Sequence, residues 1–255
     1  MELHDRAFIV TGGGSGLGRA TVDMLAGAGA RVGVLDVNAA AAEEAAARHP
    51  DQCLAVPVDV TDPDGLGRAL DAVVARFGPL GGLVSCAGVV LAERVVGRQG
   101  PHDLSRFEHV VRVNLIGTFN AARLAAVRMR ENPAGEEGER GVLVLTASIA
   151  AFEGQVGQAA YAASKGGVAS LVLPLARELS RDGIRVVGIA PGLFDTPMMA
   201  ALPEAARVSL GQQVPYPPRL GRPEEYAALV HHLLQNRMLN GSVVRLDGAM
   251  RMAPR

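Results

Sequence analysis

A short apolar run, Ala7 to Thr11, leads without a break into Gly12-Gly13-Gly14-Ser15-Gly16-Leu17-Gly18 and from there into a segment of helical period, Leu17 to Ala28. A strand, a glycine turn and a helix in that order open a βαβ unit, and the same rhythm continues along the chain. Further strands are expected at Arg31 to Asp36, Cys53 to Val58, Leu83 to Cys86, Gly141 to Thr146, Ile184 to Ala190 and Ser242 to Leu246. They read as nearly continuous Val, Ile, Leu and Ala rather than as an alternation of apolar and polar. A parallel sheet covered by helices on both faces demands that pattern.

The expected fold is therefore α/β, a single doubly wound (Rossmann) domain with a seven-stranded parallel sheet. A chain of 255 residues, 49% of them hydrophobic, can bury the core that such a domain needs. Two stretches break the rhythm, Val89 to Ser105 and the Glu- and Gly-rich Asn132 to Arg140, and both read as surface insertions. Pro174 falls inside the helix expected from Gln158 to Ser180 and predicts a bend there.

Net charge is -1 with no basic run, which argues against a nucleic-acid or acidic-membrane partner and for a small-molecule ligand. No apolar stretch approaches about 20 uninterrupted residues, so no membrane span is expected. The cysteines Cys53 and Cys86 lie in strand-like runs and predict no disulfide. Together with a strand that begins within a few residues of Met1, this predicts a cytoplasmic protein. No metal site is expected.

The glycine turn places backbone N–H groups and the positive end of a helix where a pyrophosphate can bind. Asp36, closing the second strand, can accept hydrogen bonds from a ribose hydroxyl and repels a 2′-phosphate, so NAD is preferred over NADP. Asp36 also suits the N-cap of the following helix.

Tyr161-Ala162-Ala163-Ser164-Lys165 sets a phenol and an ammonium four residues apart, on one face of a helix. A tyrosine is a poor base near neutral pH unless a neighbouring cation favours its anion, and Lys165 is expected to lower its pKa. Spacing alone would allow an ordinary surface pair. However, of 25 Lys plus Arg residues Lys165 is the only lysine, a site where the planar arginine fork was not substituted. Ser148, just past the Gly141 to Thr146 strand, can hydrogen-bond a substrate oxygen that gathers negative charge, or can be a turn serine. Asn114, in the apolar helical segment Val110 to Phe119, reads either as a satisfied core amide or as a group holding a water or carbonyl in a relay to Lys165.

The glycine pattern with Asn114, Ser148, Tyr161, Lys165 and Pro191-Gly192 resembles the short-chain dehydrogenase/reductase family over essentially the whole chain. That resemblance implies Tyr161 as the acid/base, Lys165 as the nicotinamide-ribose ligand, Ser148 as the carbonyl-positioning residue and Asn114 as support for the relay. It also implies that Gly12, Ser15, Gly16, Leu17 and Gly18, with Asp36, Asp59 and Val60 near adenosine, hold NAD. Cys86, Ala87, Gly88, Pro191, Phe194 and Thr196 are implied to complete that site. Where the family carries Asn-Asn-Ala-Gly, this chain has Ser85-Cys86-Ala87-Gly88, so contacts at that end of the sheet are expected to differ.

Within the family, Thr146 to Ser148, Ala151 to Tyr161 and Val243 to Met252 are similar to type II 3-hydroxyacyl-CoA dehydrogenases, also described as 17β-hydroxysteroid dehydrogenases of type 10. That likeness implies NAD-dependent oxidation of an acyl-CoA substrate and a homotetramer. By position, Gln155 is expected to touch substrate beside Ser148 and Tyr161. A lid is expected at about 193–214. Arg94 and Arg98 are either CoA phosphate contacts or solvated loop charges. The other readings weighed are a hydroxysteroid or other secondary-alcohol dehydrogenase, and a non-catalytic NAD-binding scaffold.

Overall fold

A computed structural model describes residues 1–98, 100–200 and 204–254. The first half contains β1 (Ala7–Thr11), α1 (Gly16–Gly27), β2 (Arg31–Asp36), α2 (Ala39–Ala47), β3 (Cys53–Pro57), α3 (Pro63–Phe77) and β4 (Leu80–Ser85). A small hairpin, β5 (Val96–Gly97) and β6 (Gly100–Pro101), occupies the first insertion. It is followed by α4 (Leu104–Val111), a π-helical turn (Arg112–Gly117) and α5 (Thr118–Arg130). Next come β7 (Gly141–Thr146), α6 (Ala159–Leu179), β8 (Ile184–Pro191), α7 (Pro197–Ala200), α8 (Glu204–Gln212), α9 (Pro223–Gln235) and β9 (Val243–Leu246).

The main sheet has seven strands in the order β3-β2-β1-β4-β7-β8-β9, all parallel. Strands that read as unbroken apolar runs still alternate in space. Phe8 and Val10 of β1 join the core under α1 and α9, whereas Ile9 joins the core under α3, α5 and α6. Val142 and Val144 of β7 divide from Leu143 and Leu145 in the same way. Each such side chain contributes about 2 kcal/mol on burial, and the polar side chains that the inner strands do bury, such as Ser85, Thr146 and Arg185, are hydrogen-bonded.

The fourth strand begins at Leu80, not at Leu83 as expected. Gly81 and Gly82 weaken the strand signal in sequence, yet a Cβ on Gly82 would come within 2.7 Å of the Phe8 ring. The neighbouring strand's aromatic core residue therefore requires the glycine.

The helix through Pro174 runs as one element of 21 residues, so the proline does not end it. Pro174 and Ser170, whose carbonyl loses its helical partner, both lie on the exposed side, where water can take that bond. The continuous helical stretch Leu104–Arg130 is long enough to cross a membrane, with a mean hydropathy of 1.2 and 50% of that window buried. It packs against α6, α3 and β4 as a core helix. Cys53 and Cys86 are free thiols.

Candidate active site

The carboxyl ends of the strands converge on one cleft of about 760 Å³. It sits where the sheet order reverses, with β1 continuing to one side through α1 and β4 to the other. Gly12 (φ 67) and Gly16 (φ 51) occupy left-handed backbone that only glycine adopts cheaply. A Cβ on Gly12 would lie 2.7 Å from the Ala87 nitrogen, and one on Gly18 would run into the Gly12 carbonyl oxygen. Ser15 precedes α1 but its side chain does not cap the helix. The helix N-terminus therefore faces the cleft without a side-chain acceptor, as an anion-binding end requires.

Asp36 is held from two sides, accepting from the Gly14 N–H at 3.0 Å and the Asn38 N–H at 2.9 Å. The N-cap role offered for it in sequence belongs instead to Asn38, whose side chain accepts from the Ala41 N–H at 3.2 Å. Asp59 and Val60 line the same end of the cleft. Asn120 fixes this corner by donating to the Val60 carbonyl at 2.9 Å. The dinucleotide fit is thus carried by a glycine cradle, an uncapped helix end and a carboxylate aimed along one groove.

Helix α6 presents Tyr161 and Lys165 to the middle of that groove, with Ser148 from the turn after β7 opposite them. Lys165 is 5% exposed, and its Nζ donates to the Thr146 carbonyl at 2.8 Å. Burial pushes its pKa down from 10.5 to about 8. The expected depression of the Tyr161 pKa is not found. Burial pushes the phenol up, opposed by a hydrogen bond with Ser148. The reason is desolvation: the protein encloses the hydroxyl while the ammonium's hydrogen bond goes to a strand carbonyl. A spacing of four residues brings the two groups into one site but does not set the balance between charge and burial.

Asn114 is fully engaged. Its Oδ1 accepts from the Val89 N–H at 2.8 Å, and its Nδ2 donates to the Val89 carbonyl at 2.9 Å and to Ser164 Oγ at 3.0 Å. Ser164 Oγ in turn donates to the Tyr161 carbonyl at 2.8 Å. Of the two sequence readings, the satisfied amide is the one seen, and the carbonyl it holds is that of Val89. Through Ser164 it braces the turn of α6 between Tyr161 and Lys165. Gly88 lies between these groups: a Cβ there would be 3.1 Å from Asn114 Oδ1 and 3.5 Å from Lys165 Nζ.

All the expected dinucleotide residues line the cleft, from Gly12 to Gly18 through Asp36, Asp59, Val60 and Cys86 to Gly88, and on to Pro191, Phe194 and Thr196. Gln155 does not. Its Nε2 donates to the Ala253 carbonyl at 2.9 Å, and it faces a shallower side groove with Arg94. Gln158, three residues on, borders both that groove and the main cleft. The turn before α6 thus swaps which glutamine faces inward. Arg94 borders the side groove, while Arg98 is exposed beside the β5–β6 turn. Part of the expected lid, 201–203, lies outside the described residues. Of the rest, Leu193, Phe194, Thr196, Pro197 and Met199 line the cleft.

Sequence reasoning missed His109, Val113 and Met252, which also line the cleft. The first two sit one turn apart on the helix that carries Asn114, but neither lies three or four residues from Asn114, so helical spacing from that residue does not mark them. Met252 comes from the last residues of the chain, tied back by its own N–H to Glu153 at 3.2 Å, and no local signal marks it.

A family model described as short chain dehydrogenase matches residues 6–207. The chain belongs to that family. With this sheet and site, membership implies a nicotinamide dinucleotide cofactor and makes the protein an oxidoreductase acting on a small molecule. The dehydrogenase is 48% identical over 254 residues to 3-hydroxyacyl-CoA dehydrogenase type-2 of Drosophila melanogaster, covering 99% of this chain and 100% of that one. It is 38% identical over 260 residues to ipsdienol dehydrogenase of Ips pini, covering 98% and 99%. Among solved structures, 3-hydroxyacyl-CoA dehydrogenase type-2 from Mycobacterium avium superposes with a TM-score of 0.94 at 42% identity, covering 98% and 97%.

Proposed function

We propose that this dehydrogenase catalyses the reversible NAD-dependent oxidation of 3-hydroxyacyl-CoA to 3-ketoacyl-CoA. The observation that carries the reading is the convergence of Ser148, Tyr161 and Lys165 in a groove that runs on to the glycine cradle and Asp36. The high identity to relatives named for this substrate supports the acyl-CoA assignment. Asp36 supports NAD in particular, because its charge opposes a phosphate on the ribose.

When bound, the dinucleotide supplies the hydride acceptor. Ser148 Oγ holds the substrate oxygen, and the Tyr161 oxygen takes the hydroxyl proton during oxidation and returns it during reduction. Lys165 Nζ, placed by the Thr146 carbonyl, presents positive charge to the ribose side of the site. Asn114 holds the helix turn that aligns Tyr161 with Lys165. The glycine loop binds the pyrophosphate, and the segment 193–214 acts as a lid over the acyl chain. Arg94, beside the cleft, offers a cation to the CoA phosphates.

Two exposed apolar residues of α5 and its preceding turn, Phe119 and Ile116, with Leu173 of α6, support a homotetramer. Two free thiols support a reducing compartment such as the cytoplasm.

The test compares kcat/KM for acetoacetyl-CoA with kcat/KM for hydroxysteroids and small secondary alcohols. The expected result is a clear preference for the CoA ester and no turnover by Tyr161→Phe. A wild type inert on acyl-CoA but active on another secondary alcohol would favour the second reading, which the likeness to ipsdienol dehydrogenase supports. An active wild type paired with an inert Tyr161→Phe rules out a purely scaffolding role.

A further inference from the structure

At the carboxyl edge of the sheet, β4 and β7 are paired as far as Ser85 and Leu145 and then separate. Cys86 turns away to hydrogen-bond β1, its N–H donating to the Thr11 carbonyl at 3.0 Å. Thr146 remains paired with β8, and its carbonyl is left to Lys165.

The fork is filled by one side chain from a different layer. Tyr226 of α9 is fully buried, and its hydroxyl meets Thr146 Oγ1 at 2.7 Å and Cys86 Sγ at 3.6 Å. Either hydroxyl can donate in the short Tyr226–Thr146 bond; with Thr146 donating to Cys86 Sγ at 3.8 Å, the arrangement in which the tyrosine donates satisfies every group. The Cys86 thiol can then close the ring on the Tyr226 oxygen. Each of these groups thereby donates once and accepts once, in a neutral network with no charge to move. Buried networks satisfied in this way rigidify what they join.

What this network joins is the peptide that places Lys165. We propose that Tyr226 is a positioning residue for the dinucleotide site: by holding Thr146 and Cys86 across the fork, it fixes the Thr146 carbonyl and through it the Lys165 ammonium. The inference rests on the reading of Lys165 as the ribose-side cation. It draws on no contact between Tyr226 and any ligand.

Tyr226→Phe keeps the ring and removes one oxygen, and Thr146→Val keeps the branched side chain and its carbonyl. Both are titrated with NAD calorimetrically, and KM and kcat are measured against pH. An unpaired buried hydroxyl and a loosened carbonyl are expected to weaken NAD binding about tenfold in either variant. The alkaline fall in NAD affinity should begin at lower pH, and KM for the alcohol should be unchanged. Because both variants cut the Tyr226–Thr146 bond and each also removes one contact to Cys86, the double variant should lose clearly less than the product of the two single losses, and Thr146→Ser, which keeps the hydroxyl, should keep wild-type binding.

Wild-type NAD affinity and pH profile in both single variants, whatever happens to Tm, would overturn the inference, as would multiplicative effects in the double variant. Variants that fail to fold alike would assign the network to stability alone and overturn it too. The titration needs no substrate, so its failure is distinguishable from a wild type that does not turn over acyl-CoA.

Discussion

Replacing Lys165 with methionine should stabilise the ligand-free protein at neutral pH while abolishing its activity. Burial holds the ammonium at about 8 against an ordinary 10.5. At about 1.4 kcal/mol for each factor of ten, charging it inside the fold costs about 3 kcal/mol. Methionine has similar length and removes that cost. It leaves the Thr146 carbonyl, now bonded to Nζ at 2.8 Å, without its donor, a loss of about 1–2 kcal/mol. The net gain is about 1–2 kcal/mol at pH 7, or about 3–6 °C in Tm for a chain of this size.

The pH dependence separates this cause from generic repacking. Between pH 8 and 10.5 the unfolded chain keeps the lysine proton that the folded chain has released, so wild-type stability from this group rises with pH through that window. The methionine variant has no such rise. Its advantage should therefore shrink above pH 8 and reverse near pH 9. Thermal denaturation of both proteins, without cofactor, at intervals from pH 7 to 10 measures it. A Tm difference that stays constant across that range would refute the reasoning.

Burial also raises the Tyr161 pKa, so alcohol oxidation, which needs the phenolate, should climb with pH through the alkaline range while ketone reduction falls. Rate profiles in both directions check this, and an oxidation rate already flat at neutral pH contradicts it. Asp36→Ala removes the carboxylate held by Gly14 and Asn38 and should lower the NAD-over-NADP ratio of kcat/KM roughly 10- to 100-fold, mainly by relieving like-charge repulsion. Arg185, buried against Glu139 at 2.8 Å, donates to the carbonyls of Leu233, Leu234 and Leu239 at the end of α9 and beyond. Arg185→Met should cost about 1–3 kcal/mol in urea denaturation by leaving those carbonyls without a donor, while Glu139 keeps Arg237 at 3.3 Å and the N-terminal ammonium at 3.5 Å, so Glu139→Gln in the same chain should recover none of it.

The sequence by itself determined whatever local spacing controls. Strand runs, their parallel sense and the glycine turn were legible because backbone periodicity and positive φ are properties of neighbouring residues, whereas the order of the strands in the sheet was not. The shared face of Tyr161 and Lys165 followed from one helical turn. Tertiary structure alone decided the rest. Gln155 turned to the chain's last residues while Gln158 faced the cleft, and Asn114 spent its amide on Val89 and Ser164. The Tyr161 pKa moved up where the spacing to Lys165 had predicted down. Met252 reached the cleft, and Tyr226 the Thr146–Cys86 fork behind it, from segments far along the chain. Burial, charge and hydrogen-bond satisfaction are sums over all atoms that surround a group, and most of those atoms are brought there by parts of the chain that local pattern does not connect.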